Sequence, residues 1–149
     1  ADDVAAADVP TVFFHGDPGA WNLLVGADGR PAVLDWENAH PHGPPLWDLL
    51  LFQRSVEQLV DEQAGRRHTA ALHVERHMGD DPEWDPARRS VQAMARDLGI
   101  TVDAAHGITV LCWVHHSLRH ATRRPSDAPA PAWHREVVSR LLHAAGPVP

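Results

Sequence analysis

Hydrophobic and polar positions follow two different patterns along the chain, and the pattern changes near residue 45. Before that point, apolar residues form short runs: "TVFF" at residues 11–14, and two further runs on either side of the pair Asp28-Gly29. A polar loop, "HGDPGAWN" at residues 15–22, separates the first run from the second. Because Asp-Gly between apolar runs is a strong hairpin signal, this segment predicts a strand, a loop and a β-hairpin.

From residue 46 onwards, apolar residues recur at spacings of three and four, which is typical of helices that bury one face. A second predicted helix begins with Asp85 as its N-cap and Pro86 at its first helical position, and it ends at Gly99. The first predicted helix has an apolar face made of Leu46, Leu49, Leu50, Val56, Leu59 and Val60.

Two more helices complete the predicted fold. Residues 103–121 are apolar enough in their middle to form a buried central helix, and a Pro-rich segment at 124–132 precedes the last helix. The apolar positions of that last helix are Val137, Val138, Leu141 and Leu142. The sequence therefore predicts an α+β fold in a single domain of residues 1–149, with the loop and hairpin in 11–45 and a helical subdomain in 46–149.

Composition narrows the possible partners. The chain has a formal net charge of −7, and its thirteen basic residues are scattered arginines, which argues against nucleic acid as a partner. No apolar run approaches the roughly 20 residues of a membrane span, so we expect no membrane partner. The single cysteine, Cys112, allows neither a disulfide nor a thiolate metal cluster, and we expect it to pack in the core of a cytoplasmic protein.

The hairpin brings two oxygen-bearing side chains together. If Asp28 and Gly29 form a two-residue turn, Val25 pairs with Ala32 and Asn22 lies opposite Asp35. If instead the turn has three residues, with Gly29 in the left-handed conformation, Asn22 and Asp35 become diagonal neighbours. In either register an amide oxygen and a carboxylate lie close enough to share one hard cation.

Asp17 adds a carboxylate to this pair, since it lies in the loop five residues before Asn22. One carboxylate that accepts the proton of an attacking hydroxyl, and two oxygen ligands for the Mg²⁺ on a nucleotide's phosphates, are what metal-assisted phosphoryl transfer requires. The loop and hairpin therefore indicate phosphoryl-transfer chemistry.

A resemblance to a known family covers residues 12–52 and rests on "HGD" at 15–17, Asn22, and "DWE" at 35–37. These motifs resemble the catalytic and metal-binding segments of the aminoglycoside phosphotransferase and choline kinase family, whose members are relatives of the protein kinases. The resemblance implies that Asp17 is the catalytic base, that Asn22 and Asp35 bind Mg²⁺ and with it the nucleotide, and that His15 holds the backbone of the catalytic loop.

Three further side chains near these motifs have expected supporting or peripheral roles. In "PLWDLL", the resemblance implies that Asp48 supports the catalytic loop through its backbone amides, while by itself Asp48 is equally compatible with a helix N-cap. We expect Trp36 to support the site by packing in the core rather than by stacking on a ligand. Glu37, on the strand face opposite to Asp35, is expected to be ion-paired or exposed to solvent.

The implied activity is transfer of the γ-phosphate of ATP or GTP, with Mg²⁺, to a hydroxyl of a small molecule such as an aminoglycoside, an amino alcohol or a sugar-like acceptor. The acidic composition would suit a cationic acceptor. The 149 residues contain no Gly-rich phosphate loop and no lysine. We therefore expect the chain to be the mainly helical C-terminal lobe of a protein-kinase-like fold, without the N-terminal nucleotide lobe, and to be part of a longer kinase.

That interpretation has two consequences and leaves two alternatives. We expect no turnover by residues 1–149 alone, and we expect apolar surface near the hairpin that promotes self-association or a homo-oligomer. One alternative is a catalytically inactive kinase-like binding module. The other is a metallohydrolase that uses histidines four residues apart, but neither pair has a predicted third ligand. These pairs are His73 with His77 and His116 with His120.

Overall fold

The computed structural model describes residues 9–122 and 132–144, and these residues form a mixed, mainly helical fold. The strands are β1 (Val12–Phe14), β2 (Leu23–Val25), β3 (Pro31–Val33) and β4 (His40–Gly43). The α-helices are α1 (Trp47–Gln63), α2 (Ala70–Met78), α3 (Asp85–Asp97), α4 (Val102–Thr122) and α5 (Ala132–Ala144). Short 3-10 helices span Ala20–Asn22, Trp36–Asn38 and Pro82–Trp84.

The strands form two separate antiparallel pairs, β1 with β4 and β2 with β3. The strand and hairpin predicted from residues 11–36 are therefore confirmed. The sequence pattern does not predict β4, because its four residues, "HPHG", include no β-branched or large apolar side chain. Its pairing with β1 brings residues 40–43 back beside the start of the polar loop.

The turn between β2 and β3 has three residues. Val25 pairs with Pro31, and the amide of Gly26 donates to the carbonyl oxygen of Arg30 at 2.9 Å. Gly29 closes the turn in the left-handed conformation, with φ of 76°. An extra left-handed glycine of this kind fits the right-handed twist of the two strands.

This register corrects one of the two hairpin alternatives. The two-residue turn, with Val25 opposite Ala32 and Asn22 opposite Asp35, is wrong, and the three-residue turn is confirmed. Leu34 instead lies opposite Asn22, since its amide donates to the Asn22 carbonyl oxygen at 2.8 Å. Asp35 is thus one residue beyond the last paired position.

Helix α4 is the centre of the helical part and contributes to two hydrophobic clusters. One cluster joins α1, α3 and α4 around Leu50, Ile108 and Cys112, and the other joins α2, α4 and α5 around Trp113 and Val137. The predictions of a central helix and of a buried Cys112 are confirmed, but the helix is only partly buried, since Leu111 and Leu118 are 54% and 61% exposed. No single helix in the described part of the chain is long and apolar enough to cross a membrane; only Pro82–Asp97 with Val102–Thr122, across a bend of 115°, passes together by length and composition.

The buried face of α1 differs from the predicted apolar face. Leu46, just before the helix, and Leu50 are buried as predicted, but Leu59 is 44% exposed. The buried stripe instead continues through polar side chains: Gln53, Ser55, Glu57 and Asp61. Apolar spacing does not detect such a stripe, because its polar groups are buried only where partners from other segments satisfy them.

The ends of the later helices agree closely with the sequence signals. Gly99 ends α3 with φ of 70°, as predicted, whereas the N-cap is Trp84, and Asp85 is the first helical residue. The predicted last helix corresponds to α5. The Pro-rich segment predicted at 124–132 lies outside the described residues, apart from its final position.

The hairpin exposes apolar side chains to solvent. Val25 is 66% exposed and Leu24 is 55% exposed, and Phe13 in the neighbouring strand β1 is 64% exposed. The prediction of apolar surface near the hairpin is therefore confirmed. Large exposed apolar patches are typical of interaction surfaces, and self-association through this one stays a prediction.

Candidate active site

The polar loop that follows β1 is attached to α1 at two points. The carboxylate of Asp48 accepts hydrogen bonds from the backbone amides of His15 and Gly16, at 2.5 and 3.1 Å. Two helical turns later, the Ser55 hydroxyl accepts one from the amide of Ala20 at 2.8 Å. Helix α1 therefore holds both ends of the loop from a single face.

Asp48 makes the backbone contacts that the resemblance implies, and these contacts also decide between its two interpretations. The N-cap position of α1 is Leu46, and Asp48 lies in the first turn without capping the helix, so the N-cap interpretation is wrong. Sequence reasoning missed Ser55, although its spacing of seven residues from Asp48 places both on one helix face.

The close approach of the loop to the segment after the hairpin requires a glycine. Gly16 has a φ of 84°, and a Cβ atom at this position would lie 2.6 Å from the carbonyl oxygen of Asn38. Both the left-handed backbone and the short contact exclude a side chain here. The loop can therefore lie directly against the 3-10 helix Trp36–Asn38.

His15 connects the loop to the hairpin from a buried position, with 4% of its surface exposed. Its Nδ1 accepts a hydrogen bond from the amide of Asp17 at 3.2 Å, and its Nε2 donates to the carbonyl oxygen of Leu34 at 2.7 Å. A neutral imidazole with its proton on Nε2 satisfies both contacts. One side chain thus fixes the backbone of Asp17 and of the residue before Asp35.

Asp17 and Asn22 are brought together directly. The side-chain amide of Asn22 donates to the backbone carbonyl oxygen of Asp17 at 2.9 Å. Since this contact uses the NH₂ group, the side-chain oxygen of Asn22 is left to accept or to coordinate. The Asp17 side chain itself belongs to an exposed residue, so its carboxylate is accessible to a ligand.

Asp35 has an unusual backbone conformation for a residue other than glycine. It adopts the left-handed region, with φ of 61°, and turns the chain from β3 into the 3-10 helix Trp36–Asn38. Such conformations cluster at functional sites, and aspartate tolerates them better than most residues. Asp35 is exposed, and a short separation between its carboxylate and the Asn22 side-chain oxygen stays a prediction.

Trp36 does not pack as predicted, whereas Glu37 is exposed to solvent as predicted, although it does not lie on a strand. Trp36 is 49% exposed, so packing in the core is wrong, although its ring lies 4.6 Å from the ring of His15. Glu37 is exposed in the 3-10 helix, so it has no strand face opposite to Asp35. The left-handed turn at Asp35 explains both differences, because it ends the strand before these residues.

A cleft of about 440 Å³ opens beside the loop. Asp17 and Glu37 line it on the side of the loop and hairpin, and Trp113 and His116 of α4 line it on the helical side. Its volume lies in the range of small-molecule sites, which is about 300–1,000 Å³. Asp17, an exposed residue, therefore lines a space of the size that a small acceptor requires.

The residues assigned to Mg²⁺ fit that ion by their chemistry. Mg²⁺ prefers hard oxygen ligands and is usually bound by one or two protein carboxylates together with substrate phosphates. Asp35 supplies an exposed carboxylate, and Asn22 supplies the amide oxygen that its hydrogen bond to Asp17 leaves free.

The two histidine pairs of the metallohydrolase alternative lie in different surroundings. His73 and His77 both contact the carboxylate of Glu57, at 2.8 and 2.7 Å, and Glu57 is buried beside Arg76. Glu57, His68 and His73 bring potential ligand atoms within 4.8 Å, but the Arg76 cation nearby opposes a bound metal. The other pair, His116 and His120, lines the cleft.

Replacing Asp48 with alanine tests the attachment of the loop. We expect Asp48→Ala to lower the free energy of unfolding by about 1.5–3 kcal/mol, because two charge-assisted hydrogen bonds are lost and the amides of His15 and Gly16 lose their acceptor. We also expect lower kcat, since the loop loses its fixed position. Chemical denaturation and steady-state kinetics measure the two effects.

The matched control for this variant is Asp103→Ala. Asp103 is an exposed residue in the first turn of α4, and Asp48 lies at the corresponding place in the first turn of α1. Both substitutions therefore remove the same favourable interaction with a helix dipole. Asp103→Ala should change stability by less than about 1 kcal/mol. Equal effects of the two substitutions would contradict a special role for the loop contacts of Asp48.

Comparison with known proteins gives a family match for the part of the chain that contains this site. The sequence model of the phosphotransferase enzyme family matches residues 1–90, which include the loop, the hairpin and α1. No curated protein and no solved structure gave a match. The family match covers more than half of the 149 residues and includes His15, Asp17, Asn22, Asp35 and Asp48, whereas the cleft residues of α4 lie beyond it. The chain therefore belongs to the phosphotransferase enzyme family.

Proposed function

We propose that this protein transfers the γ-phosphate of ATP or GTP to a hydroxyl group of a small molecule, with Asp17 as the catalytic base. The observation that supports this most strongly is the position of Asp17. Its backbone is fixed by His15 and Asn22, and its side chain lines a cleft of about 440 Å³. A fixed carboxylate beside such a space is what general-base assistance to a bound hydroxyl requires.

The proposed reaction assigns a separate task to each residue. The Asp17 carboxylate accepts the proton of the acceptor hydroxyl as the hydroxyl oxygen forms a bond to the γ-phosphorus and the bond to the β-phosphate oxygen breaks. His15 and Asp48 act as positioning residues, because they contact the loop backbone and not the cleft. Asn22 positions Asp17 through its NH₂ group.

Asn22 and Asp35 would hold Mg²⁺ together with the phosphates of the nucleotide. When bound, the ion would neutralise charge that develops on the transferred phosphoryl group. The contribution of this chain is to keep two oxygen ligands on neighbouring positions of one hairpin. The His15 contact to Leu34 supports this arrangement, because it holds the residue before Asp35 next to the loop of Asp17.

A binding experiment on the intact protein tests the Mg²⁺ assignment. We expect Asp35→Ala to weaken Mg²⁺-dependent ATP binding at least about tenfold, because a charged ligand of the ion is removed. Calorimetry in Mg²⁺ and in EDTA separates Mg²⁺-dependent from Mg²⁺-independent ATP binding. The difference between Asp35→Ala and wild type should vanish in EDTA. Asp28→Ala, which removes an exposed carboxylate from the tip of the same hairpin, is the control.

Phosphate transfer by the intact protein to a panel of hydroxylated acceptors tests the activity itself. Production of phosphorylated acceptor that depends on ATP, Mg²⁺ and Asp17 supports the proposal. ATP binding without transfer to any acceptor in the panel would favour the inactive binding module instead.

A further inference from the structure

The cleft beside Asp17 has a distinct distribution of charge. The loop and the adjoining 3-10 helix contribute the carboxylates of Asp17 and Glu37. The helices contribute two guanidinium groups, Arg54 of α1 and Arg119 of α4. Three imidazoles complete the helical side: His116, His120 and His134. Acidic and basic groups therefore come from different sides of one small space.

Arg54 is a partly buried cation that has no carboxylate partner among the described residues. Its Nε atom is buried and has no hydrogen-bond partner among the described residues, and its guanidinium lies 5.0 Å from the centre of the Trp133 ring. No carboxylate in the described ranges lies within 4.0 Å of it. Glu57 is near enough to affect its charge, but both Glu57 oxygens already contact histidines.

Burial of the Arg54 guanidinium is unfavourable because the cation loses solvation by water. Burial lowers the pKa of Arg54, and Glu57 only partly opposes that effect. Buried cations are normally paired, so an Arg whose Nε is buried and unpaired points to an anion that arrives from outside the chain. The Trp133 ring, 5.0 Å from the guanidinium carbon, helps to hold the guanidinium in place.

Arg119 extends the positive region along α4. It is half-buried and makes no ion pair within the described part of the chain. Burial, together with the charges of His134, His115 and Arg119, lowers the pKa of the neighbouring His116 to about 3. His116 is therefore neutral at physiological pH and can donate one hydrogen bond without adding charge.

We propose that the acceptor bound in this cleft carries an oxyanion group, a carboxylate or a phosphate, which Arg54 and Arg119 bind while a hydroxyl of the same molecule lies at Asp17. Arginine suits this task because its guanidinium binds carboxylate and phosphate through paired hydrogen bonds. This inference rests on the proposed phosphotransferase function, and it names the substrate class of that site.

The charge of the cleft and the charge of the chain lead to different expectations. The net charge of −7 would suit a cationic acceptor. Net charge, however, sums over the whole surface and governs solubility and long-range association rather than the contacts in one cleft. The guanidinium groups of Arg54 and Arg119, which have no ion-pair partner within residues 9–122 and 132–144, lie in the cleft itself, so they decide the acceptor class.

Four sugars with one carbon skeleton test the proposal: glucuronate, glucose 6-phosphate, glucose and glucosamine. Calorimetric titration of the intact protein at constant ionic strength, without nucleotide, measures their affinities. We expect at least one anionic sugar to bind about tenfold or more tighter than glucose, and glucosamine to bind no tighter than glucose. The two anionic sugars distinguish a carboxylate site from a phosphate site.

Arginine variants test the residues. Arg54→Gln and Arg119→Gln should each weaken binding of the anionic sugar about tenfold, while Arg54→Lys should retain part of it. Arg67→Gln removes an exposed cation outside the cleft and should leave binding unchanged. Thermal unfolding of each variant verifies the fold, and the half-buried Arg119 provides the test if Arg54→Gln is unstable.

Binding and catalysis fail separately in this design. Equal affinities for the four sugars, no measurable binding of either anionic sugar, or unchanged binding in both arginine variants would contradict the anionic acceptor. A preference for the anionic sugars without phosphate transfer from ATP would support the inferred binding site and contradict the proposed function. Transfer to glucosamine but to neither anionic sugar would support the function and contradict the inference.

Discussion

In the intact protein, we expect Asp17→Asn to lower kcat by about 10²–10⁴ and to leave the affinity for the nucleotide nearly unchanged. The substitution keeps the size of the side chain and removes its ability to accept a proton. General-base assistance acts in the transition state and not in the ground state, so the loss appears in kcat. The backbone contacts of Asp17 with His15 and Asn22 do not involve its side chain and should persist.

Steady-state phosphate transfer, together with calorimetric titration of Mg²⁺ and ATP, measures the two effects separately. Asp97→Asn is the control, because it removes an exposed carboxylate at the end of α3, away from the cleft. Equal kcat for Asp17→Asn and wild type would contradict the assignment of Asp17 as the base. A loss of nucleotide affinity that accounts for the whole loss of activity would instead indicate a role in binding.

The residues of this site could be predicted from the sequence because they lie close together along the chain. His15, Asp17 and Asn22 belong to one loop, and Asp35 follows one hairpin later. Local turn chemistry fixes such segments, and the Asp28-Gly29 signal predicts the hairpin without knowledge of the rest of the fold. The same signal leaves the register open by one residue, and only the three-residue turn is observed.

The sequence was less informative about side chains whose surroundings come from distant segments. The exposure of Trp36 depends on the left-handed backbone of Asp35, and no local sequence pattern predicts that conformation. The basic side of the cleft combines Arg54 with Arg119, which are separated by more than sixty positions. A single sequence shows two ordinary helical arginines, and only the packing of α1 against α4 places them at one cleft.

The buried face of α1 shows the same limit in energetic terms. The carboxylates of Glu57 and Asp61 are fully buried, with 0% exposure. Their partners, His73 and Arg76, are on α2. Burial of charge is favourable only when each group is paired and hydrogen-bonded. Periodicity identifies apolar faces but not pairs of polar groups that are stable only when both are present, so this helix was predicted in position but only partly in its buried face.

That buried network should be the most sensitive part of the helical subdomain. Arg76 donates to both oxygens of Asp61, at 2.8 and 2.6 Å, and His68 contacts the same carboxylate at 3.0 Å. We expect Asp61→Asn to lower the free energy of unfolding by about 3–5 kcal/mol, because it leaves the Arg76 cation buried without its main partner. Urea denaturation followed by circular dichroism measures the loss.

Asp85→Asn is the control, because it removes an exposed carboxylate that pairs with Arg89 and, at 3.7 Å, with Arg88. Asp85 lies 3.1 Å from Arg89, and their side chains are 43% and 68% exposed. An exposed pair contributes about 0–1 kcal/mol, so this variant should unfold close to wild type. Similar stability of Asp61→Asn and Asp85→Asn would contradict the importance of the buried network.

The pH dependence of the free energy of unfolding is a second test of the buried network around Asp61 and Glu57. The hydrogen bonds from Arg76 hold the pKa of Asp61 at about 2, against an ordinary value of 3.8. Burial alone would raise the pKa of Glu57, but the hydrogen bonds from His73 and His77 outweigh it and hold that pKa at about 2, against 4.5. Both carboxylates bind protons more readily in the unfolded chain, so their contribution is complete above about pH 4.5 and is lost as the pH falls towards 2.

His73 extends the same dependence to higher pH. Burial lowers its pKa to about 4 from an ordinary 6.5, so the unfolded chain takes up a proton between these values and the folded chain does not. Stability should therefore fall from about pH 6.5 down to pH 4 through His73, and further towards pH 2 through the two carboxylates. Asp61→Asn should reduce only the acidic part of this slope, because it removes one carboxylate and leaves His73 paired with Glu57. An unchanged slope below pH 4 in Asp61→Asn would show that the Asp61 carboxylate does not stabilise the fold through its charge.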